Sequence, residues 1–124
     1  MSRIAIVGGG SMGEALLAGL LRSGHPAKEL VVAEKMPQRA GYLAQTYSVR
    51  VTDVADAVEN AGQVLLAVKP ADVESVVAEI GEAAARAEGS AVEQVLVSVV
   101  AGVTTVFYES RLPAGSPVIR VMPN

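Results

Sequence analysis

Ile4-Ala5-Ile6-Val7-Gly8-Gly9-Gly10-Ser11-Met12-Gly13 changes character twice within ten residues. The first four are apolar without alternation, which suits a strand covered on both faces. Three glycines follow. From Ser11 the spacing becomes helical, and Leu16, Leu17, Leu20 and Leu21 form one stripe that Gly24 is placed to stop. Strand, glycine turn and helix therefore follow one another without a linker.

The same alternation runs through the rest of the chain. Strand-like runs recur at Leu30–Ala33, Val49–Val51, Val64–Val68, Val95–Val100 and Val118–Val121. Helical spacing fills the gaps, with Pro37–Tyr47 opening on a first-turn proline and Leu43 and Tyr47 four apart. Asp53 or Asp56 can cap a short helix ending near Asn60-Ala61-Gly62. Pro70–Ala87 places Val73, Val76, Val77 and Ile80 on one face, and Val103–Arg111 is a last short helix. Strands alternating with helices predict an α/β fold, a doubly wound and mostly parallel sheet of Rossmann type. Residues 1–124 read as one domain, with no repeat and no low-complexity tract.

Gly8, Gly10 and Gly13 form G-x-G-x-x-G between the first strand and the first helix. In that setting Gly8 allows the tight turn, Gly10 lets a pyrophosphate approach the backbone, and Gly13 lets the helix lie close to the sheet. Ser11 and Met12 complete a turn whose N–H groups face the phosphates, with the helix dipole adding only ~0.3–1 kcal/mol. No Gly-Lys-Ser/Thr follows, so this is not a P-loop. Glu34 lies 21 positions past Gly13, at the end of the second strand where an adenine ribose belongs. Its carboxylate favours the hydroxyls of NADH and repels the 2′-phosphate of NADPH. Lys35 and Arg39 attract that phosphate, at roughly 4 kcal/mol per unit-charge pair at ~4 Å before screening. Two cations against one carboxylate lean the expectation to NADPH, with NADH as the second cofactor.

Composition removes other classes. A formal net charge of −3 offers no basic face for nucleic acid. Cysteine is absent, which excludes disulfides, thiolate nucleophiles and thiolate metal sites. No apolar run approaches the ~18–20 residues of a membrane helix, and Met1-Ser2-Arg3 enters the first strand with no signal-peptide pattern. A cytoplasmic setting without a membrane or metal partner is the expectation. His25, in Ser23-Gly24-His25-Pro26, reads as a loop histidine.

Ligands of open α/β sheets sit at the carboxyl ends of the strands. Three further ends are Ala67-Val68-Lys69-Pro70, Ser98-Val99-Val100-Ala101-Gly102 and Arg120-Val121-Met122-Pro123-Asn124. Together with the Gly-Ser-Met-Gly turn, these segments resemble pyrroline-5-carboxylate reductases, in order and at similar spacing over the whole chain. The Val-Lys-Pro and Met-Pro-Asn motifs are the specific part. Glu34-Lys35 departs from the many members that place Ser or Thr at the 2′-phosphate.

The resemblance implies reduction of pyrroline-5-carboxylate to L-proline by hydride from NADPH or NADH. It places Gly8, Gly10, Ser11, Met12 and Gly13 at the pyrophosphate, Glu34 and Lys35 at the adenosine ribose, and Val68, Lys69, Pro70, Ala101, Gly102 and Asn124 around the nicotinamide. It also implies a second, all-helical domain, with a Gly-Thr-Thr segment, that forms a homodimer or higher homo-oligomer and contacts substrate. No Gly-Thr-Thr occurs here, no catalytic residue is assigned, and apolar surface is expected where that domain would pack. Two other readings stay open: a related imine or 3-hydroxyacid oxidoreductase, and a dinucleotide-sensing domain without catalysis.

Overall fold

The computed structural model describes residues 3–86, 94–113 and 115–121. Six strands, β1 (Arg3–Val7), β2 (Leu30–Ala33), β3 (Arg50–Thr52), β4 (Ala61–Leu66), β5 (Val95–Ser98) and β6 (Val118–Arg120), alternate with five α-helices. The helices are α1 (Ser11–Arg22), α2 (Pro37–Tyr47), α3 (Val54–Val58), α4 (Val73–Arg86) and α5 (Thr105–Arg111). The strands form one sheet in the order β3-β2-β1-β4-β5-β6, and each pairing is parallel. This is the doubly wound arrangement, with its switch point between β1 and β4.

The continuous apolar runs are explained by the two faces. Ile4, Ile6, Leu30 and Val32 pack with Leu17 of α1 and Leu43 of α2. Their strand neighbours Ala5, Val7, Val31 and Ala33 point the other way, into a cluster with Ala57, Val77, Ile80 and Tyr108. Each residue from Ile4 to Val7 and from Leu30 to Ala33 is buried against a helix layer, so alternation with polar residues there would bury an unpaired group. Among the described residues Tyr108 is the single aromatic in the buried core, and its hydroxyl has a partner: Ser98 Oγ lies 2.6 Å away.

Several boundaries differ from those read in the sequence. Asn60 and Ala61 do not end a helix; Asn60 takes the left-handed conformation (φ 60°), which a short polar side chain tolerates, and Ala61 begins β4 at once. That strand stops at Leu66, leaving Ala67 and Val68 beyond it. Pro70–Asp72 is a tight 3-10 turn ahead of α4 rather than its first α-helical turn. Asp53, not Asp56, caps α3: its Oδ1 accepts from the Asp56 N–H at 2.8 Å. Asp56 instead turns its carboxylate to Arg50 and Thr52. Ala87, expected at the end of α4, lies outside the described residues.

Candidate functional site

The switch point is bordered by the turn after β1 and by the end of β4. Gly8 holds φ at +108°, a conformation side chains rarely adopt, and a Cβ there would lie 2.6 Å from the Ala67 carbonyl oxygen and 3.1 Å from Val68 Cγ1. The two strand ends therefore touch through a residue that must be glycine. Gly13 is tighter still. A Cβ there would sit 1.8 Å from the Gly8 carbonyl oxygen. What this glycine admits is the turn's own backbone, while the nearest sheet side chain, Ile6, is at ordinary contact distance.

Gly10 differs from both. It caps α1 with φ −76°, open to any residue, and beyond its two chain neighbours no atom lies within 4 Å of a Cβ built on it. The fold makes no demand for glycine here, whereas a ligand pressed against this backbone would. Gly10 also offers no side-chain cap, so the N–H groups of the first turn of α1 remain available. Ser11 and Met12 are exposed beside them. Open backbone, free N–H groups and a helix N-terminus at a switch point fit a dinucleotide's pyrophosphate.

Gly9, an unassigned position in the motif, is constrained by two other elements. Its Cβ would meet Leu43 Cδ1 at 2.7 Å and Glu34 Oε1 at 2.8 Å. Glu34 leaves the end of β2 and accepts from the Gly9 N–H and the Met36 N–H, each at 2.9 Å. The carboxylate is thus fixed beside the glycine turn. Lys35 is exposed. Arg39, the second cation of this region, is engaged: Nε donates to the Gly9 carbonyl at 2.6 Å and Nη2 to Glu14 Oε1 at 2.5 Å.

Glu14 has no counterpart in the sequence reading. Its Oε2 also accepts from the Tyr42 hydroxyl at 2.7 Å and the Tyr47 hydroxyl at 2.5 Å, joining α1 to α2. The bond from Tyr47, then that from Tyr42, with Arg39 adding, holds the Glu14 carboxyl below its ordinary value against a smaller opposing effect of desolvation. The same bond pushes the Tyr47 phenol from 10.0 to about 12, with desolvation adding. A raised phenol contributes stability that is complete below pH 10 and disappears as pH rises from 10 to 12. A lowered carboxyl contributes above the ordinary carboxylate range and is lost as pH falls through its folded value. The stability difference between the protein and Tyr47→Phe, from urea denaturation, should therefore shrink between pH 10 and 12. A difference that stays constant across that interval would refute the bond's role.

The remaining strand ends come to the same edge of the sheet. Val68 lies against the glycine turn, and Lys69 and Pro70 follow it, both exposed. Beyond β5, the Val100 N–H donates to Ser98 Oγ at 3.2 Å, so the buried Ser98–Tyr108 pair holds the chain that leads to Ala101 and Gly102. Gly102 has φ +79°, and both residues are exposed. Asn124, with Met122 and Pro123, lies outside the described residues. Among the described residues there is no cluster of His, Asp or Glu that could hold a metal, and no helix long and apolar enough to cross a membrane.

Residues 3–102 match the family described as NADP oxidoreductase, coenzyme F420-dependent. The chain belongs to this family. A pyrroline-5-carboxylate reductase of Mycobacterium tuberculosis is 66% identical over 124 residues, covering 100% of this chain and 42% of the relative. A solved pyrroline-5-carboxylate reductase from Coxiella burnetii superposes with a TM-score of 0.89 at 29% identity, over 99% of this chain and 44% of that one. The Plasmodium falciparum pyrroline carboxylate reductase, solved with NADP bound, shares the fold (TM-score 0.76, 19% identity, 99% of this chain and 42% of that one). The oxidoreductase chain thus spans less than half the length of the relatives it matches. They bear the name to which the Val-Lys-Pro and Met-Pro-Asn motifs pointed.

Proposed function

We propose that this chain is the dinucleotide-binding domain of an enzyme that reduces pyrroline-5-carboxylate to L-proline. The observation that carries the reading is the glycine turn at the switch point, where Gly10 is open on the side a pyrophosphate would occupy. The 66% identity to a relative of that name supports the substrate. The bound cofactor, NADPH or NADH, would supply the hydride that adds to the imine carbon. The chain's own residues hold and orient it. Gly10, Ser11 and Met12 cradle the pyrophosphate on the turn that Gly8 and Gly13 close, and Glu34 with Lys35 faces the ribose. Val68, Lys69 and Pro70, with Ala101 and Gly102, border the nicotinamide end. An imine protonated at nitrogen is already electrophilic, so placing the two rings is the larger part of the task.

Substrate selection and pairing into a homodimer are assigned to an all-helical domain of the kind the resemblance implies. The exposed apolar side chains Val106, Ile119 and Val121 supply contact surface for such a neighbour. A cytoplasmic setting fits a reaction that consumes a reduced nicotinamide. The complete protein, given pyrroline-5-carboxylate, is expected to oxidise NADPH or NADH, followed by absorbance, with proline as product. A folded, dinucleotide-binding protein that turns over neither cofactor would sink the assignment.

A further inference from the structure

Three acceptor bonds converge on Glu14, and one of their donors is a cation that lies beside the ribose end of the proposed cofactor site. Between residues 30 and 47 the cations are Lys35 and Arg39. Arg39 reaches the turn itself, through the Gly9 carbonyl at 2.6 Å, while Glu34 takes the N–H of the same residue at 2.9 Å. A carboxylate and a guanidinium thus flank Gly9, in the turn after β1 and beside the end of β2. A ligand entering there meets their summed field, which also includes the exposed Lys35 and the carboxylate of Glu14 2.5 Å from Arg39.

We propose that Glu14 is a positioning residue for cofactor choice, withholding the charge of Arg39 from the 2′-phosphate that separates NADPH from NADH. The proposal rests on the dinucleotide reading of the site and extends it to a residue outside the glycine motif. Glu14, Glu34, Lys35 and Arg39 are neutral as a group, and removing the Glu14 charge leaves them cationic. The two tyrosines fix that carboxylate so that it does not swing away from Arg39. Arg39 also lies over the Tyr42 ring, 5.0 Å from its centroid, a second restraint on the guanidinium. An uncharged 2′-hydroxyl responds little to this balance. A doubly charged phosphate responds strongly.

Glu14→Gln keeps the size and a carbonyl acceptor while removing the charge. Kd values for NADPH and NADH are measured on the complete protein, parent and variant, by quenching or enhancement of nucleotide fluorescence. Glu14→Gln is expected to tighten NADPH by about fivefold relative to NADH at low salt, an effect that shrinks as salt rises. Arg39→Gln in the parent leaves Glu14 unopposed and should loosen NADPH relative to NADH by a similar factor, and Arg39→Gln added to Glu14→Gln should erase the gain. A ratio unmoved by Glu14→Gln, or moved toward NADH, overturns the proposal. So does a gain that persists when Arg39→Gln is added. Should Glu14→Gln fail to fold, Arg39→Gln in the parent decides alone: a ratio moved toward NADH by about fivefold at low salt supports the idea, and an unmoved ratio overturns it. A folded parent that binds neither nucleotide would overturn the dinucleotide reading and this proposal together, whereas the preceding results overturn only the proposal.

Discussion

Gly13→Ala is expected to destabilise the protein by about 3 kcal/mol or more, because the added methyl must displace backbone rather than a side chain. Its Cβ would lie 1.8 Å from the Gly8 carbonyl oxygen and 2.9 Å from the carbonyl carbon. Relief requires either α1 to lift off the turn or Gly8 to move. Gly8 has little freedom, since its own backbone holds φ +108°, its N–H donates to the Ala33 carbonyl at 3.0 Å, and its Cα side abuts Ala67. Lifting α1 would open the packing of Leu17, which is fully buried with Ile4, Ile6 and Leu43. Either path therefore reaches the core. Urea denaturation of parent and variant measures the effect, and a loss below about 1 kcal/mol would show that the turn yields more easily than its geometry indicates.

Gly10→Val should do the reverse, leaving stability within about 0.5 kcal/mol while weakening dinucleotide affinity by at least about a hundredfold. The position is exposed, its φ of −76° suits valine, and beyond the two chain neighbours no atom stands within 4 Å of the new Cβ. The cost falls wholly on a ligand that needs to approach that backbone, and the branched side chain also obstructs the N–H groups of the helix head. Titration of NADPH and NADH into the folded variant tests this. Affinity equal to the parent's would remove Gly10 from the site. Measured together, the two glycines separate the parts of one motif: Gly13 serves the fold and Gly10 the ligand.

That division was only partly legible in the sequence. The spacing of Gly8, Gly10 and Gly13 between an apolar strand and an amphipathic helix announces the motif, and β1, α1, β2 and α2 fall where the periodicity places them. Gly9 is the instructive omission. Nothing local requires glycine there; the requirement comes from Glu34 and Leu43, which reach it from β2 and α2. Glu14 is silent in the sequence for the same reason. An acidic residue in a helix's first turn is sufficiently explained by the dipole, and its true partners lie 25 to 33 residues away. Arg39 could be read as a free cation near the ribose until its carboxylate partner was seen.

What the sequence by itself determined is the alternation of strands and helices, the phosphate turn and the motifs at the strand ends, because each is written in local spacing or in neighbouring residues. Only the tertiary structure decided which charges stand free at the ribose end and which glycines the protein needs for itself. Those properties depend on how side chains from β2, α1 and α2 meet in space. A hydrogen bond of 2.5 Å between Glu14 and Arg39 cancels a charge that composition alone would count in full.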